Sequence, residues 1–170
     1  MMTGRRQTAS ADYPQIGAVA AKMLHDDSVG VPGHIVVTPG GGGRGNEAAY
    51  LGPRYASVHL GSGQPPHHSA KPDYITPDAE KRRHDFRRHI NNTYLSKRRT
   101  AVTDAYTNSY EQALRLMEKR DVFDISKEPE HEQERYGKFD LGRQCLLARR
   151  LIENGVSFVQ VTHSNYDTHN

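Results

Sequence analysis

Apolar residues recur at Ile16, Val19, Ala20 and Met23, spacings of three and four that predict an amphipathic helix of roughly three turns. Tyr13-Pro14 opens it, since Pro is favoured in a first helical turn, and Asp12 stands near the cap. The pattern frays at His25-Asp26-Asp27. After a turn at Val31-Pro32-Gly33, the run His34-Ile35-Val36-Val37-Thr38 predicts a short buried strand, which Pro39 and Gly40-Gly41-Gly42-Gly43 break. Residues 39–76 are then rich in Gly, Pro, His and Ser and predict a long irregular stretch. Inside a compact domain such a length favours a functional loop or an insertion over a plain connection.

Residues 77–120 predict helix, with Thr76 or Asp78 at the cap and Pro77 in a tolerated position. One apolar stripe holds Phe86, Ile90, Tyr94 and Leu95. After Lys97-Arg98-Arg99 a second runs through Val102, Ala105, Tyr106, Tyr110, Ala113, Leu114 and Met117. Two helices, or one long bent helix, would form an antiparallel hairpin or arm. Ser126 is placed to cap a short helix near Pro129–Tyr136 that ends at Gly137. A last helix spans roughly 139–154, with Leu141, Cys145, Ala148, Leu151 and Ile152 on one face and Gly155 just past its end. Val156–Thr162 follows as a strand with a buried core. Helix, Gly and buried strand make an αβ unit of an open α/β sheet, in which ligands bind beyond the carboxyl ends of strands.

Composition narrows the class without deciding it. Hydrophobic residues make up 35% of the 170, low for a compact domain, and charged residues 25%, which is ordinary. The net charge of +3 suits an anionic ester substrate as well as it suits nucleic acid. With Cys145 as the one cysteine, no intrachain disulfide can form. No apolar run is long enough for a membrane span, and Met1-Met2-Thr3-Gly4-Arg5-Arg6 lacks the apolar region of a signal peptide.

Asp167 and His169 are the leading candidates for chemistry. A carboxylate and an imidazole just past a strand end can share one divalent cation, and their i, i+2 spacing puts both on one side of an extended backbone. A loop with a surface Asp and His is the plain alternative. Gly40-Gly41-Gly42-Gly43-Arg44-Gly45 follows a strand as a phosphate-cradling loop would, yet lacks the Lys-Ser/Thr of a P-loop, and a flexible loop explains it better. Lys81-Arg82-Arg83, Arg87-Arg88 and Lys97-Arg98-Arg99 are interleaved with Glu80 and Asp85 and show no aromatic stacking platform. They read as a solvated helix face, so no nucleic-acid partner is expected. His67-His68, with His59 nearby, fits exposure better than metal binding, and Cys145 fits a small core residue.

Four segments carry a resemblance. They are Phe123–Pro129, Arg135-Tyr136-Gly137, Cys145–Val156 and Tyr166-Asp167-Thr168-His169, in that order. Together they resemble the uncharacterised DUF1501 family, which is similar to sulfatases. Met2-Thr3-Gly4-Arg5 resembles the segment that follows the nucleophile in sulfatases, and Leu51-Gly52-Pro53-Arg54-Tyr55 also fits. The resemblance implies an α/β fold: a partial alkaline-phosphatase/sulfatase-like sandwich with a helical hairpin inserted. It implies one such domain fragment over 1–170, divided into 1–76 (helix, strand and long loop), 77–122 (helical segment) and 123–170 (helix–strand unit ending in the metal motif). Asp167 and His169 would be ligands of a divalent metal such as zinc, calcium or manganese, and Arg5 would bind the anion of a small sulfate or phosphate ester. Full-length relatives would be exported. The expected Ser, Thr or Cys nucleophile, a first Asp-rich metal motif and a later histidine have no counterpart in these residues, and Tyr166 stands in place of Trp. A non-catalytic binding or scaffold protein that keeps the fold is the alternative.

Overall fold

A computed structural model describes residues 3–4, 12–39, 47–61, 64–66, 68–97 and 101–163. Its centre is a three-stranded parallel sheet. β1 (His34–Val37) lies between β2 (Val58–Leu60) and β3 (Phe158–Val161), pairing Ile35 with Val58 and with Val159. The ladder runs one residue past the strands, for Thr38 N–H donates to Leu60 O (3.0 Å) and Thr162 N–H to Val37 O (2.8 Å). The chain is thus of the mixed α/β class. Around the sheet stand α1 (Ile16–Leu24), α2 (Pro77–Lys97), α3 (Ala101–Glu118), α4 (Glu130–Tyr136) and α5 (Asp140–Glu153).

Strand alternation sends Ile35 and Val37 to one face and His34 and Val36 to the other. On the first face, Ile35, Val37 and Leu60 meet Leu146, Leu147 and Leu151 of α5, with Phe123, Ile125 and Val156 closing the cluster. Each fully buried side chain of this size contributes about 1.5–3 kcal/mol relative to exposure. α1 packs on the second face.

Several elements differ from the pattern's expectation. α1 begins at Ile16 after Gln15, which makes no side-chain cap. Its buried residues are Gly17, Ala18 and Ala21, while Ile16, Val19 and Met23 are exposed. Small residues let the helix approach the sheet closely, and that contact outweighs the larger apolar stripe. In α5 the core face is Leu146, Leu147 and Leu151 with Gln144; Cys145 is only partly buried and Ile152 is exposed. β2 lies inside the stretch expected to be irregular, as do short 3-10 turns at Ala49–Leu51 and Pro53–Tyr55. β3 is half-buried along its length, as suits a strand paired on one side among the described residues.

The hairpin reading fits α2 and α3. Thr76 Oγ1 accepts from Ala79 N–H (3.3 Å) at the start of α2. The helices run antiparallel, for Asn91 Nδ2 donates to Thr107 Oγ1 (2.6 Å) while Tyr110 hydroxyl meets His84 Nδ1 (3.2 Å) and Arg87 pairs with Glu111. The Arg87 guanidinium also stacks 3.8 Å above the centre of the Tyr110 ring. The interface is therefore polar, and Phe86, Ile90 and Tyr94, expected to form its apolar stripe, are at least half exposed.

The segment 121–137 is clamped to α5. Glu128 takes both Arg149 (2.5 Å) and Arg150, and Arg149 also reaches Glu132 (2.5 Å). Arg150 donates further to the carbonyls of Val122 (2.9 Å) and Asp121 (3.0 Å). Ser126 does not cap α4, which follows Pro129. It donates its hydroxyl (2.7 Å) and its N–H (3.0 Å) to Asp124, holding that carboxyl below the usual carboxylate range. At the α4–α5 corner a Cβ on Gly142 would stand 2.1 Å from Tyr136 O, so only glycine allows this approach.

Candidate functional site

Parallel strands share one direction, so the segments leaving Val37, Leu60 and Val161 all depart from the same rim of the sheet. α5 leads back through Gly155 to β3, so its first turn lies toward that same rim. Arg5, Asp167 and His169 lie outside the described residues, as do Gly40–Gly45 and His67. The described chain reaches the exposed His163 beyond β3. Among the described residues, no group of three or more His, Cys, Asp or Glu could hold a metal ion.

On the α1 face a second polar cluster forms that the residue patterns did not announce. Ser57 hydroxyl lies between the Glu47 carboxylate, to which it donates, and His59 Nε2 (2.8 Å). Both Glu47 oxygens also stand 3.3 Å from His59 Nε2. Glu47 is held in place by its main chain, whose carbonyl accepts from Gln15 N–H (2.9 Å) just before α1. In a nucleophilic triad the acid would hold Nδ1 and leave Nε2 to the hydroxyl. Here both partners address Nε2, and among the described residues Nδ1 is buried without a hydrogen bond. Among the described residues the arrangement is a polar knot in the packing and lacks the Nδ1 contact of a relay.

His34 completes the cluster. It is 1% exposed, and neither ring nitrogen makes a hydrogen bond among the described residues. Its ring meets Phe158 edge-on at 5.5 Å, and a Cβ on Gly17 would lie 2.2 Å from its Nε2. Burial pushes the His34 imidazole below its ordinary value; Glu47 and the Tyr55 main chain push the other way, and His59 adds to the depression. The available signal was a histidine inside each of two apolar strand runs, His34-Ile35-Val36-Val37 and Val58-His59-Leu60. His59 belongs to a strand and not to an exposed His-rich loop, whereas His68 is exposed.

The basic runs of α2 are largely solvent-facing. Arg87 is engaged by Glu111 and Tyr110, and Arg88 lies 3.4 Å from Asp85. No helix among the described residues is long and apolar enough to cross a membrane.

Fold and rim together define a mixed α/β protein with a small parallel sheet whose strand ends share one side. The chain belongs to the family described as "Protein of unknown function (DUF1501)", whose profile matches residues 1–170. It is also similar to a peptidyl-tRNA hydrolase of Roseobacter denitrificans, 36% identical over 69 residues. That likeness covers 38% of this chain, and the chain spans 30% of the length of that relative. No solved structure matches.

Proposed function

We propose that this chain supplies part of a divalent-metal site in a hydrolase of the alkaline-phosphatase superfamily, of sulfatase or phosphatase type, acting on small sulfate or phosphate esters. The observation that carries the reading is the order of α5, Gly155, β3 and then Asp167-Thr168-His169, which follow the strand at its carboxyl end. Ligands of open parallel sheets bind beyond that end.

The donor chemistry suits such an ion. A carboxylate and an imidazole are favourable ligands for zinc or manganese, and a calcium ion would lean on the carboxylate. The further ligands would come from outside the described residues, which hold no ready-made group. Asp167 and His169 would hold the ion, and when bound it would stabilise negative charge developing on the ester oxygens. Arg5 would bind the anionic oxygens of the ester through its guanidinium fork.

The test is metal content followed by hydrolysis. The purified full chain should carry a divalent metal by elemental analysis, and Asp167→Asn and His169→Ala should each weaken metal affinity by at least about tenfold. Hydrolysis of 4-nitrophenyl sulfate or phosphate should fall with it. Metal retained without hydrolysis would favour a non-catalytic binding or scaffold protein of the same fold. A chain that binds no zinc, calcium or manganese would overturn the metal reading.

A further inference from the structure

We infer that a cavity of about 140 Å³ between α3 and the turns before β1 binds a small zwitterion, an α-amino acid of about the size of alanine. Its lining carries both signs of charge, Asp27 and Glu111 against Arg54 and Arg115, together with the amides of Asn108 and Gln112. The cavity lies at the amino ends of the strands. Gly33 on its wall accepts from Phe158 N–H (3.0 Å) where β1 and β3 begin, and His25 Nδ1 meets Ser157 Oγ (3.2 Å). Asp167 and His169 follow the opposite, carboxyl end of β3 in the sequence, so this site does not rest on the metal reading.

α3 turns a polar side toward this space. Asn108, Glu111, Gln112 and Arg115 recur at spacings of three and four, so they share one face of the helix, and all four line the cavity. A helix face turned toward a packed body is ordinarily apolar. The side chains of Asn108, Gln112 and Arg115 make no hydrogen bond or ion pair with a described residue. Arg115 is exposed, and the amide atoms of half-buried Asn108 and Gln112 are not sealed from solvent, so all three can meet a ligand. The two acids each keep an open oxygen. Arg54 addresses Asp27 Oδ2 and Arg87 addresses Glu111 Oε1, which leaves Asp27 Oδ1 and Glu111 Oε2 without a partner among the described residues. Their side chains are 54% and 34% exposed, so these oxygens can be reached. The Arg54 hydrogen bond holds the Asp27 carboxyl below the usual carboxylate range, and the charge of Arg115 adds to that, as it would across one shared space.

An ammonium group suits the open carboxylate oxygens, and a carboxylate suits the open guanidinium fork of Arg115. A simple carboxylate would meet Asp27 and Glu111 with like charge, and a simple amine would meet Arg54 and Arg115 in the same way. A molecule that carries both charges, close together, avoids either repulsion. The volume sets its size. A cavity of about 150 Å³ admits benzene, so this one suits a body of about six non-hydrogen atoms, as in alanine. Such a ligand would also tie α3 to the body beside the contact that the helix makes with Pro53–Tyr55.

The experiment is equilibrium binding of radiolabelled L-alanine to the full chain, with unlabelled propionate and ethylamine as competitors at constant ionic strength. Alanine should bind saturably. Propionate and ethylamine, which each lack one of its charges, should compete at least about tenfold less well. Arg115→Gln and Asp27→Asn should each weaken alanine binding by about tenfold, the size of one charge-assisted hydrogen bond. Arg82→Gln, on the exposed side of α2, should change nothing. Amide hydrogen exchange in α3 should slow under saturating alanine. Circular dichroism checks the fold of each variant, and the competition on the unaltered chain stands whether or not a variant folds. Absence of saturable binding, propionate or ethylamine competing as well as alanine, or unchanged binding in either charge variant overturns the site. Equal weakening by Arg82→Gln, or unaltered exchange in α3, overturns its location.

Discussion

His34 is the residue at which burial and charge compete most directly. It is enclosed by α1 and the sheet, with Gly17 against its ring and Phe158 at its edge. The groups facing it are Glu47, His59 and the Tyr55 main chain. Desolvation is the largest influence, and it favours the neutral ring. The pH dependence follows in sign. Below the ordinary imidazole value of about 6.5, the unfolded chain takes up a proton that folded His34 refuses. Stability is therefore full above that value, declines as pH falls through it, and levels off below the lower folded value. The slope from this one group approaches about 1.4 kcal/mol per pH unit. Urea midpoints between about pH 7.5 and 5.5 should show the decline, and His34→Gln should flatten it. Identical pH profiles for the two proteins would show that His34 is not the source. Gly17 belongs to the same contact. Gly17→Ala would drive a methyl into the ring and should cost about 1–3 kcal/mol, measured by the same unfolding curves.

At the scale of elements, two of the segments that carry the family resemblance, Phe123–Pro129 and Cys145–Val156, serve packing, and Gly142, outside them, serves it too. Phe123 and Ile125 fill the core, Glu128 grips Arg149 and Arg150, and Gly142 permits the α4–α5 corner. These positions hold 121–137 onto α5, and nothing in their contacts requires a substrate. Glu128→Gln should destabilise the chain by about 1–3 kcal/mol, because two partly buried guanidinium groups lose their shared carboxylate. Gly142→Ala should cost at least as much, because a main-chain oxygen cannot move aside as a side chain can. Thermal unfolding of both variants checks this, and midpoints unchanged from wild type would count against the clamp. The elements themselves were largely legible. β1, β3, α5 and the α2–α3 pair follow from apolar runs and stripes, from Gly155 and from the charged run Lys97-Arg98-Arg99 that divides the two stripes. Which face each helix buries was not legible for α1, because closeness of approach, not side-chain size, selects Gly17, Ala18 and Ala21. β2 was missed because three residues between Gly- and Pro-rich segments carry too little periodicity to register. The Glu47–Ser57–His59 cluster was missed because its members meet only once β2 is paired with β1 and Glu47 is tied to Gln15.

For the whole molecule, the contrast between the sheet with α5 and the α2–α3 hairpin governs how the protein opens. The sheet and α5 share one continuous apolar cluster, so unfolding any part exposes the rest. α2 has no buried residue, and the contacts that join it to α3 are ion pairs, hydrogen bonds and one stacked guanidinium. Such polar contacts between partly buried groups contribute less than a shared apolar core, and the ion pair among them is weakened by salt. α3 is joined to the body chiefly near Pro53–Tyr55, where Arg54 pairs with Asp27. The hairpin therefore belongs to the low-stability end of the molecule, where local opening does not require global unfolding. Amide hydrogen exchange followed by mass spectrometry should show α2 exchanging well before β1 and α5, and faster still as salt is raised. Replacing Phe86, Ile90 and Tyr94 together by Ser, Thr and Gln should change the unfolding free energy of the sheet region by less than about 0.5 kcal/mol per position, since these side chains already face solvent. Exchange in α2 as slow as in α5, or a large loss of stability in the triple variant, would mean that the exposed stripe is covered by a second copy of the chain. That outcome would move the hairpin from the periphery of the fold to its assembly.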